Sequence, residues 1–201
     1  MRLCGVLILL VLLSACTTSP PRNPDNSCSI FSEKKGWYKD AARARDEWNS
    51  PIPVMLAIMH QESRFAAKAK PPRRKILGFI PGPRPSDSYG YSQALGSTWK
   101  AYQRSTGRYR ADRDDFGDAI HFIGWYNDQS VKRSGIAGSD AYGLYLAYHE
   151  GHGGYNRGSY RNKAWLLGVA NKVNSRAGLY QAQLARCEDS LKRRKRFFGL
   201  F

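Results

Sequence analysis

Glu62 is the residue of this chain whose type and position could support acid–base chemistry. It lies near the end of a segment that the sequence predicts to be a helix, because Ser50 is a good N-cap residue and Pro51 fits the first helical position, where no N–H group is needed. At 100° per residue, four side chains fall within one arc of about 80°: Ile52, Met55, Met59 and Glu62. The carboxyl group is therefore predicted to project from the same helix face as the apolar side chains.

A carboxyl group on an apolar helix face has an altered acidity. Burial disfavours its charged form and raises its pKa. A carboxylic acid that stays protonated near neutral pH can donate a proton to a leaving-group oxygen, as the cleavage of a glycosidic bond requires. The alternative is that Glu62 is solvated at the helix end or forms a salt bridge with Arg64.

The elements that would position Glu62 are predicted to be helices, so the predicted fold class is mainly α. Apolar spacing and capping residues predict further helices over these segments: 33–48, from Thr98 to Gly107, from Asp114 or Asp115 to about Gly135, from Ser139 to Gly151, and about 162–191. Prolines in residues 68–92 break this pattern around the apolar stretch 76–80. We expect a long loop or a short hairpin there, beside the groove that holds the candidate acid.

Three short segments carry the polar residues of these elements, in this order: His60-Gln61-Glu62-Ser63-Arg64-Phe65, Gly90-Tyr91-Ser92-Gln93-Ala94 and Ala147-Tyr148-His149-Glu150-Gly151. Their order and separation resemble the soluble-lytic-transglycosylase (SLT) domain, a family with a lysozyme-like fold, over roughly residues 37–175. That family carries Glu-Ser at the catalytic helix, a Gly-Leu-Met-Gln-like segment, and Ala-Tyr-Asn-Ala-Gly. The chain departs from the family at Tyr91-Ser92, where the family has Leu-Met, and at His149-Glu150, where it has Asn-Ala.

The resemblance implies a lytic transglycosylase with Glu62 as general acid and then base. Glu62 would protonate the glycosidic oxygen between N-acetylmuramic acid and N-acetylglucosamine in peptidoglycan. It would then take the proton of the muramic C6 hydroxyl, which closes a 1,6-anhydro ring. Ser63 would orient the sugar or the carboxyl group, and Gln93 and Tyr148 would hydrogen-bond the substrate or the acid. The other implied substrate-binding residues are Tyr91 and His149.

Neither a cofactor nor a metal is expected. His149-Glu150-Gly151-His152 invites a metal interpretation, but it lacks the spacing of a His-Glu-x-x-His site.

Other functions remain open at this point. Glu150 could act as a second carboxylate and make the protein a water-using muramidase. A non-catalytic peptidoglycan-binding lipoprotein could keep the groove and use Glu62 only as a hydrogen-bond acceptor. The chain could also be an assembly factor that recruits envelope partners through its basic C-terminal residues.

The first residues have the pattern of an export signal. Arg2 precedes the apolar run 6–13 and the small residues Ser14 and Ala15, and this run is too short to span a bilayer. Leu13-Ser14-Ala15-Cys16 resembles a bacterial lipobox, which implies that residues 1–15 are removed and that Cys16 carries a lipid. An ordinary signal peptide is the alternative. Residues 16–32 would then be the lipidated N-terminus and a flexible, Pro-rich tether. With Thr17 after the cysteine, the resemblance implies the periplasmic face of the outer membrane.

Two cysteines remain once Cys4 leaves with the signal and Cys16 is lipidated. Cys28 and Cys187 could pair in an oxidising compartment, or could be two free buried thiols.

The mature chain would have 186 residues, enough for one domain, which we place at 33–191. The formal net charge of the full chain is +16, and in an exported protein this favours an anionic envelope polymer or membrane surface over nucleic acid. Residues 192–201 form a basic, aromatic tail that could meet a membrane interface or be a disordered tail. We expect a monomer.

Overall fold

Seven helices and one short hairpin make up the part of the chain that the computed structural model describes, residues 19–73 and 75–197. The helices are α1 (Ser27–Glu33), α2 (Trp37–Trp48), α3 (Ile52–Ser63), α4 (Gly96–Thr106), α5 (Phe116–Ser134), α6 (Ala141–Asn156) and α7 (Ala164–Phe197). Two strands, β1 (Lys75–Ile76) and β2 (Ile80–Pro81), pair in antiparallel orientation. The predicted mainly α fold class is confirmed.

Helix α3 runs through the centre of the fold. It contacts α2, α5, α6 and α7, and every residue from 52 to 60 is buried. The predicted apolar arc of α3 was therefore too narrow, because residues 52–60 are buried on every side of the helix. Its start was also predicted one residue early: Pro51 is the N-cap residue, and the Ser50 hydroxyl instead accepts a hydrogen bond of 2.9 Å from the Asn127 side chain. Arg64 ends the helix in the left-handed conformation.

Local capping signals located most of the other helix ends to within one or two residues. Asp115 caps α5 through a hydrogen bond from the backbone N–H of Asp118, and Gly135 ends that helix with a φ of 66°. Asp140 caps α6, where Ser139 was expected. Helix α4 begins before Thr98, at Gly96. A side-chain cap and a left-handed glycine act within one turn of the helix, which explains why sequence alone finds them.

The helix predicted over residues 33–48 is confirmed over α2 (Trp37–Trp48). It begins four residues later than predicted, and a break separates it from α1, a helix that the sequence did not predict. The break lies at Gly36, which has a φ of 95°. Helix α1 packs on α7, and Cys28 of α1 forms a disulfide with Cys187 of α7, the pair expected from the sequence. The bond joins residues 159 positions apart and ties the start of the domain to its last helix.

Much of the predicted flexible tether packs against the domain. Pro21 is buried, and the Pro24 carbonyl accepts a hydrogen bond from the Tyr180 hydroxyl of α7. Asp25 forms an ion pair with Arg176 of α7, whose guanidinium holds the pKa of that carboxyl below its usual range. The prediction of a tether over 16–32 is thus wrong for its later residues, because their polar groups find partners on α7. The predicted signal and Cys16 lie outside the described residues.

Helix α7 is longer than the predicted segment and continues to Phe197, so the first part of the predicted basic tail is helical. Residues 198–201 of that tail lie outside the described part of the chain. Among the described residues, no helix is both long and apolar enough to cross a membrane.

Candidate active site

A groove of about 380 Å³ has Glu62 in its wall. Four parts of the chain line the groove: the end of α3 at Glu62, the segment around α4 with Ser86, Gln93, Ala94, Leu95 and Thr98, α5 with Phe122 and Tyr126, and α6 with Tyr148, His149, Glu150 and Gly151. The groove thus unites residues from all three sequence segments. Two larger cavities, of about 550 and 740 Å³, lie elsewhere, and Glu62 lines neither. We therefore assign the site by its residues and not by its size.

The environment of Glu62 raises the pKa of its carboxyl group to about 7. The cause is desolvation, because the surrounding side chains remove water that would stabilise the negative charge. A hydrogen bond from the Tyr145 side chain acts in the opposite direction and favours the charged form. The result is an acid that exchanges its proton near neutral pH, as a group that must both give and take a proton requires.

Tyr148 links the third segment to the second. Its hydroxyl donates a hydrogen bond of 2.7 Å to the backbone carbonyl of Ser92, and burial raises the pKa of this hydroxyl well above its usual value. The ring of Tyr148 packs edge-on against Tyr126 at 5.0 Å between ring centroids. Tyr148 therefore ties α6 to the loop that carries the second segment, and it stays neutral while it does so.

Gln93 braces the loop that carries the second segment. Its side-chain amide donates hydrogen bonds of 2.9 Å to the carbonyls of Ala69 and Gly90, and its carbonyl oxygen accepts one of 3.3 Å from Ser88. Gln93 also lines the groove, at the site where the sequence resemblance had located it. Its amide group holds the loop backbone in this structure.

Gly90 is required by a close backbone approach. A Cβ atom at this position would lie 2.0 Å from the carbonyl oxygen of Arg113, and the φ of Gly90 is 79°. The same carbonyl accepts a hydrogen bond of 3.0 Å from the N–H group of Tyr91. The glycine of the second segment thus lets the loop pack directly on the chain that precedes α5.

Glu150 lies in the groove but is held as an ion. Both of its carboxylate oxygens accept hydrogen bonds from Lys163, at 2.7 and 2.8 Å, and Ser159 and His149 add further hydrogen bonds. Lys163 is the largest cause of a pKa lowered to about 2 for this carboxyl. His152, the other histidine near Glu150 in the sequence, shares a hydrogen bond of 3.0 Å with Ser130.

The backbone kinks within α6 directly after Glu150. Gly151 has φ 72° and ψ 157°, values outside the helical region, so the predicted helix end at this glycine corresponds to a break and not to the end of the helix. His149 is exposed on the groove side of the kink, with its ring 5.2 Å from that of Trp165. Within residues 19–73 and 75–197, no cluster of three potential metal ligands occurs.

Two of the implied substrate-binding residues do not line the groove. Ser63 donates its hydroxyl to the backbone carbonyl of Met59 at 3.2 Å. Tyr91 is 3% exposed and packs edge-on against Trp37 and Phe116. The structure gives Tyr91 a core-packing position in place of the predicted contact, because the aromatic side chains of α2 and α5 enclose it.

Sequence reasoning missed three residues of the site. Tyr145 and Tyr126 carried no signal beyond helical spacing, and Lys163 precedes α7 without any motif. The spacing of Tyr145 and Tyr148, three residues apart on the same helix, could have indicated that both face Glu62. The approach of Lys163 to Glu150 depends on how α6 meets α7, which no local pattern encodes.

Comparison with known families agrees with this geometry. The family model described as the transglycosylase SLT domain matches residues 4–187. Neither the comparison with curated proteins nor the comparison with solved structures gave a match. At the level of the family, the match supports transglycosylase activity on peptidoglycan, and the mainly α, lysozyme-like fold is consistent with it. The chain belongs to the transglycosylase SLT domain family.

Proposed function

We propose that this protein is a lytic transglycosylase that cleaves the β-1,4 bond between N-acetylmuramic acid and N-acetylglucosamine and leaves a 1,6-anhydro-muramic end. The observation that supports this most is the position of the Glu62 carboxyl group in the wall of the groove, where desolvation raises its pKa to about 7. At that value a substantial fraction of the carboxyl group is protonated at neutral pH, and its conjugate base is strong enough to take a proton back.

The reaction needs only this one carboxyl group. Protonated Glu62 donates its proton to the glycosidic oxygen, and the bond between that oxygen and muramic C1 breaks. The C6 hydroxyl of the same sugar attacks C1, and the Glu62 carboxylate takes the hydroxyl proton. The enzyme returns to its starting protonation state, and no water is consumed. The bond between C1 and the C6 oxygen in the 1,6-anhydro ring replaces the glycosidic bond.

Tyr145 stabilises the intermediate charge of Glu62. After Glu62 has given up its proton, the carboxylate must exist briefly in surroundings that disfavour charge. The hydrogen bond from Tyr145 favours the carboxylate and limits the rise in its pKa. We therefore assign Tyr145 as a positioning residue that allows Glu62 both to donate its proton and to accept one.

A water-using muramidase is the competing function, because Glu150 lines the same groove. Activation of water requires a carboxylate that accepts a proton readily. The hydrogen bonds from Lys163 and Ser159 lower the pKa of Glu150 to about 2, so it is a weak base. This favours the intramolecular C6 hydroxyl as the nucleophile.

Digestion of purified sacculi in ¹⁸O-labelled water tests the proposal. We expect muramic ends that lack the label and have the mass of the anhydro sugar, and no cleavage by Glu62→Gln. Asp46→Asn, an exposed carboxyl-to-amide change on α2, serves as the matched control and should cleave normally. Label at the muramic end would assign the reaction to a muramidase, and binding of sacculi without any cleavage would assign a non-catalytic role.

We further propose that the protein is lipid-anchored through Cys16 to the periplasmic face of the outer membrane and acts there as a monomer on peptidoglycan strands. The lipobox-like Leu13-Ser14-Ala15-Cys16 supports the anchor. Intact-mass measurement of protein purified from membranes tests it. The expected mass is that of residues 16–201 plus acyl groups, and an unmodified mass would exclude the lipid.

A further inference from the structure

The hairpin formed by β1 and β2 exposes apolar side chains that the fold does not use. We call residues 76–80 the hairpin tip. Its apolar side chains are largely open to solvent: Ile76 is 50% exposed, Leu77 80%, Phe79 74% and Ile80 42%. Four large apolar side chains in five residues form a contiguous patch, and such patches usually mark a surface that contacts another phase or molecule.

The backbone of the hairpin tip also favours a role other than folding. Leu77 adopts a φ of 53° and is followed by Gly78 with a φ of 80°. Asparagine, aspartate or glycine is preferred where a hairpin turn needs positive φ. A leucine at this place costs conformational energy and contributes no buried contact. The stability of the fold therefore does not explain why an exposed leucine occupies position 77.

Two arginine hydrogen bonds join the arms of the hairpin stem, and the stem is strongly basic. The Arg73 side chain donates to the carbonyl of Gly82, and the Arg84 side chain donates to that of Pro71, so each arm is bonded to the other. The sequence contains seven basic and no acidic residues over positions 63–86. One of the basic residues, Lys75, lies in strand β1. An apolar tip on a cationic stem is the composition of segments that enter the interface of an anionic membrane.

We propose that the hairpin tip docks into the surface of an anionic phospholipid bilayer. The cationic stem would contact lipid phosphates while the four apolar side chains enter the acyl boundary. A hydrated glycan strand would match the charge of the stem through its carboxylates, but it offers no apolar phase for aliphatic side chains such as Ile76 and Leu77. The hairpin tip also lies outside the lining of the groove, to which Ser86 at the hairpin base contributes.

The length of the chain before the fold agrees with a membrane within reach. Pro21 is buried and lies only five positions after Cys16. Five extended residues span at most about 18 Å. If Cys16 carries a lipid, as proposed above, the domain stays close to the headgroups. This distance depends on the proposed anchor, whereas the apolar tip and its charge do not.

Vesicle binding of the protein without its lipid tests the proposal. The mature chain from residue 16, with Cys16→Ser, is mixed with vesicles of phosphatidylglycerol and phosphatidylethanolamine or of phosphatidylcholine alone, and the bound fraction is measured by sedimentation. We expect binding to the anionic vesicles, and the double variant Leu77→Ser/Phe79→Ser should lower the partition coefficient by at least about tenfold. Lys75→Gln should lower it by roughly fivefold on anionic vesicles only.

The matched control is Tyr109→Ser/Leu179→Ser, which removes apolar side chains that are 70% and 49% exposed at other sites. It should bind vesicles as the parent chain does, and so should Glu62→Gln, which separates docking from catalysis. Equal vesicle binding by the tip variant and the control would overturn the proposal, as would a parent chain that binds no vesicles. A tip variant that loses sacculus binding but keeps vesicle binding would assign the hairpin to the glycan.

Discussion

Replacement of Glu62 by glutamine should abolish activity and at the same time stabilise the fold at high pH. The pKa of Glu62 rises from 4.5 to about 7 because folding desolvates the carboxyl group. Below pH 4.5 the group is neutral in both the folded and the unfolded state, so it has no pH-dependent effect. Between 4.5 and 7 the unfolded state loses the proton and the folded state keeps it, so stability falls as the pH rises. Above 7 the penalty is constant.

The size of this penalty follows from the two pKa values. With 4.5 in the unfolded state and about 7 in the folded state, the penalty is about 1 kcal/mol at pH 5 and about 3 kcal/mol at pH 8. Glutamine cannot ionise, so the Glu62→Gln variant lacks this penalty. The free energy of unfolding of Glu62→Gln minus that of the wild type should therefore rise by about 2 kcal/mol between these pH values. This is an upper value, because the side chain keeps some contact with solvent through the groove.

Urea unfolding at pH 5 and pH 8, with the disulfide intact, measures this difference. Pairing of the two proteins at each pH cancels every other titrating group, including the histidines. Turnover of sacculi by the same preparations should fall by about 10²–10⁴-fold, the usual contribution of a general acid and base. A stability difference that is the same at both pH values would refute the raised pKa, and near wild-type turnover would remove Glu62 from the mechanism. Asp46→Asn should change neither quantity.

Three further changes test the surroundings of the acid. Tyr145→Phe removes the hydrogen bond that lowers the pKa of Glu62, so the basic limb of the pH–rate profile should move to higher pH; an unchanged profile would show that the hydroxyl does not act on the carboxyl group. Glu150→Gln should still give anhydro products by mass spectrometry, while urea unfolding should show lower stability because Lys163 loses its partner. Cys28→Ser/Cys187→Ser should lower the free energy of unfolding by about 2–5 kcal/mol, and two thiols that already react in the non-reduced wild type would exclude the bond.

Local signals predicted the helices better than their junctions. Asp115 and Gly135 act within one turn of α5, so the sequence located both ends of this helix. The break at Gly36 was missed, because a glycine beside a helical pattern does not by itself prescribe a positive φ. The docking of residues 21–27 on α7 was also missed, since a proline-rich, polar stretch looks the same whether or not a distant helix supplies partners.

The same division applies to the site. Position on an apolar helix predicted the raised pKa of Glu62, although the surroundings that produce it come from several helices. The tertiary environment determines the side-chain contacts of the other residues. Tyr91 packs in the core beside aromatic side chains, and the Ser63 hydroxyl donates a hydrogen bond to the backbone of its own helix. Segment matching finds where a residue lies along the chain, but it does not give the direction of the side chain.

The two carboxyl groups of the groove show most clearly why the site is suited to a single-acid reaction. Glu62 has no cationic partner among the causes of its shift, so desolvation raises its pKa to about 7. Glu150 has Lys163 and two further hydrogen-bond donors, which lower its pKa to about 2. Neighbouring carboxyl groups with well separated pKa values commonly divide the roles of acid and base between them. Here, however, the ionised member is already neutralised by an ion pair, and hydrolysis would have to break that pair before Glu150 could activate water. Glu62 needs no such rearrangement to give and retake a proton, and a nucleophile supplied by the substrate itself is the one that this arrangement can use directly.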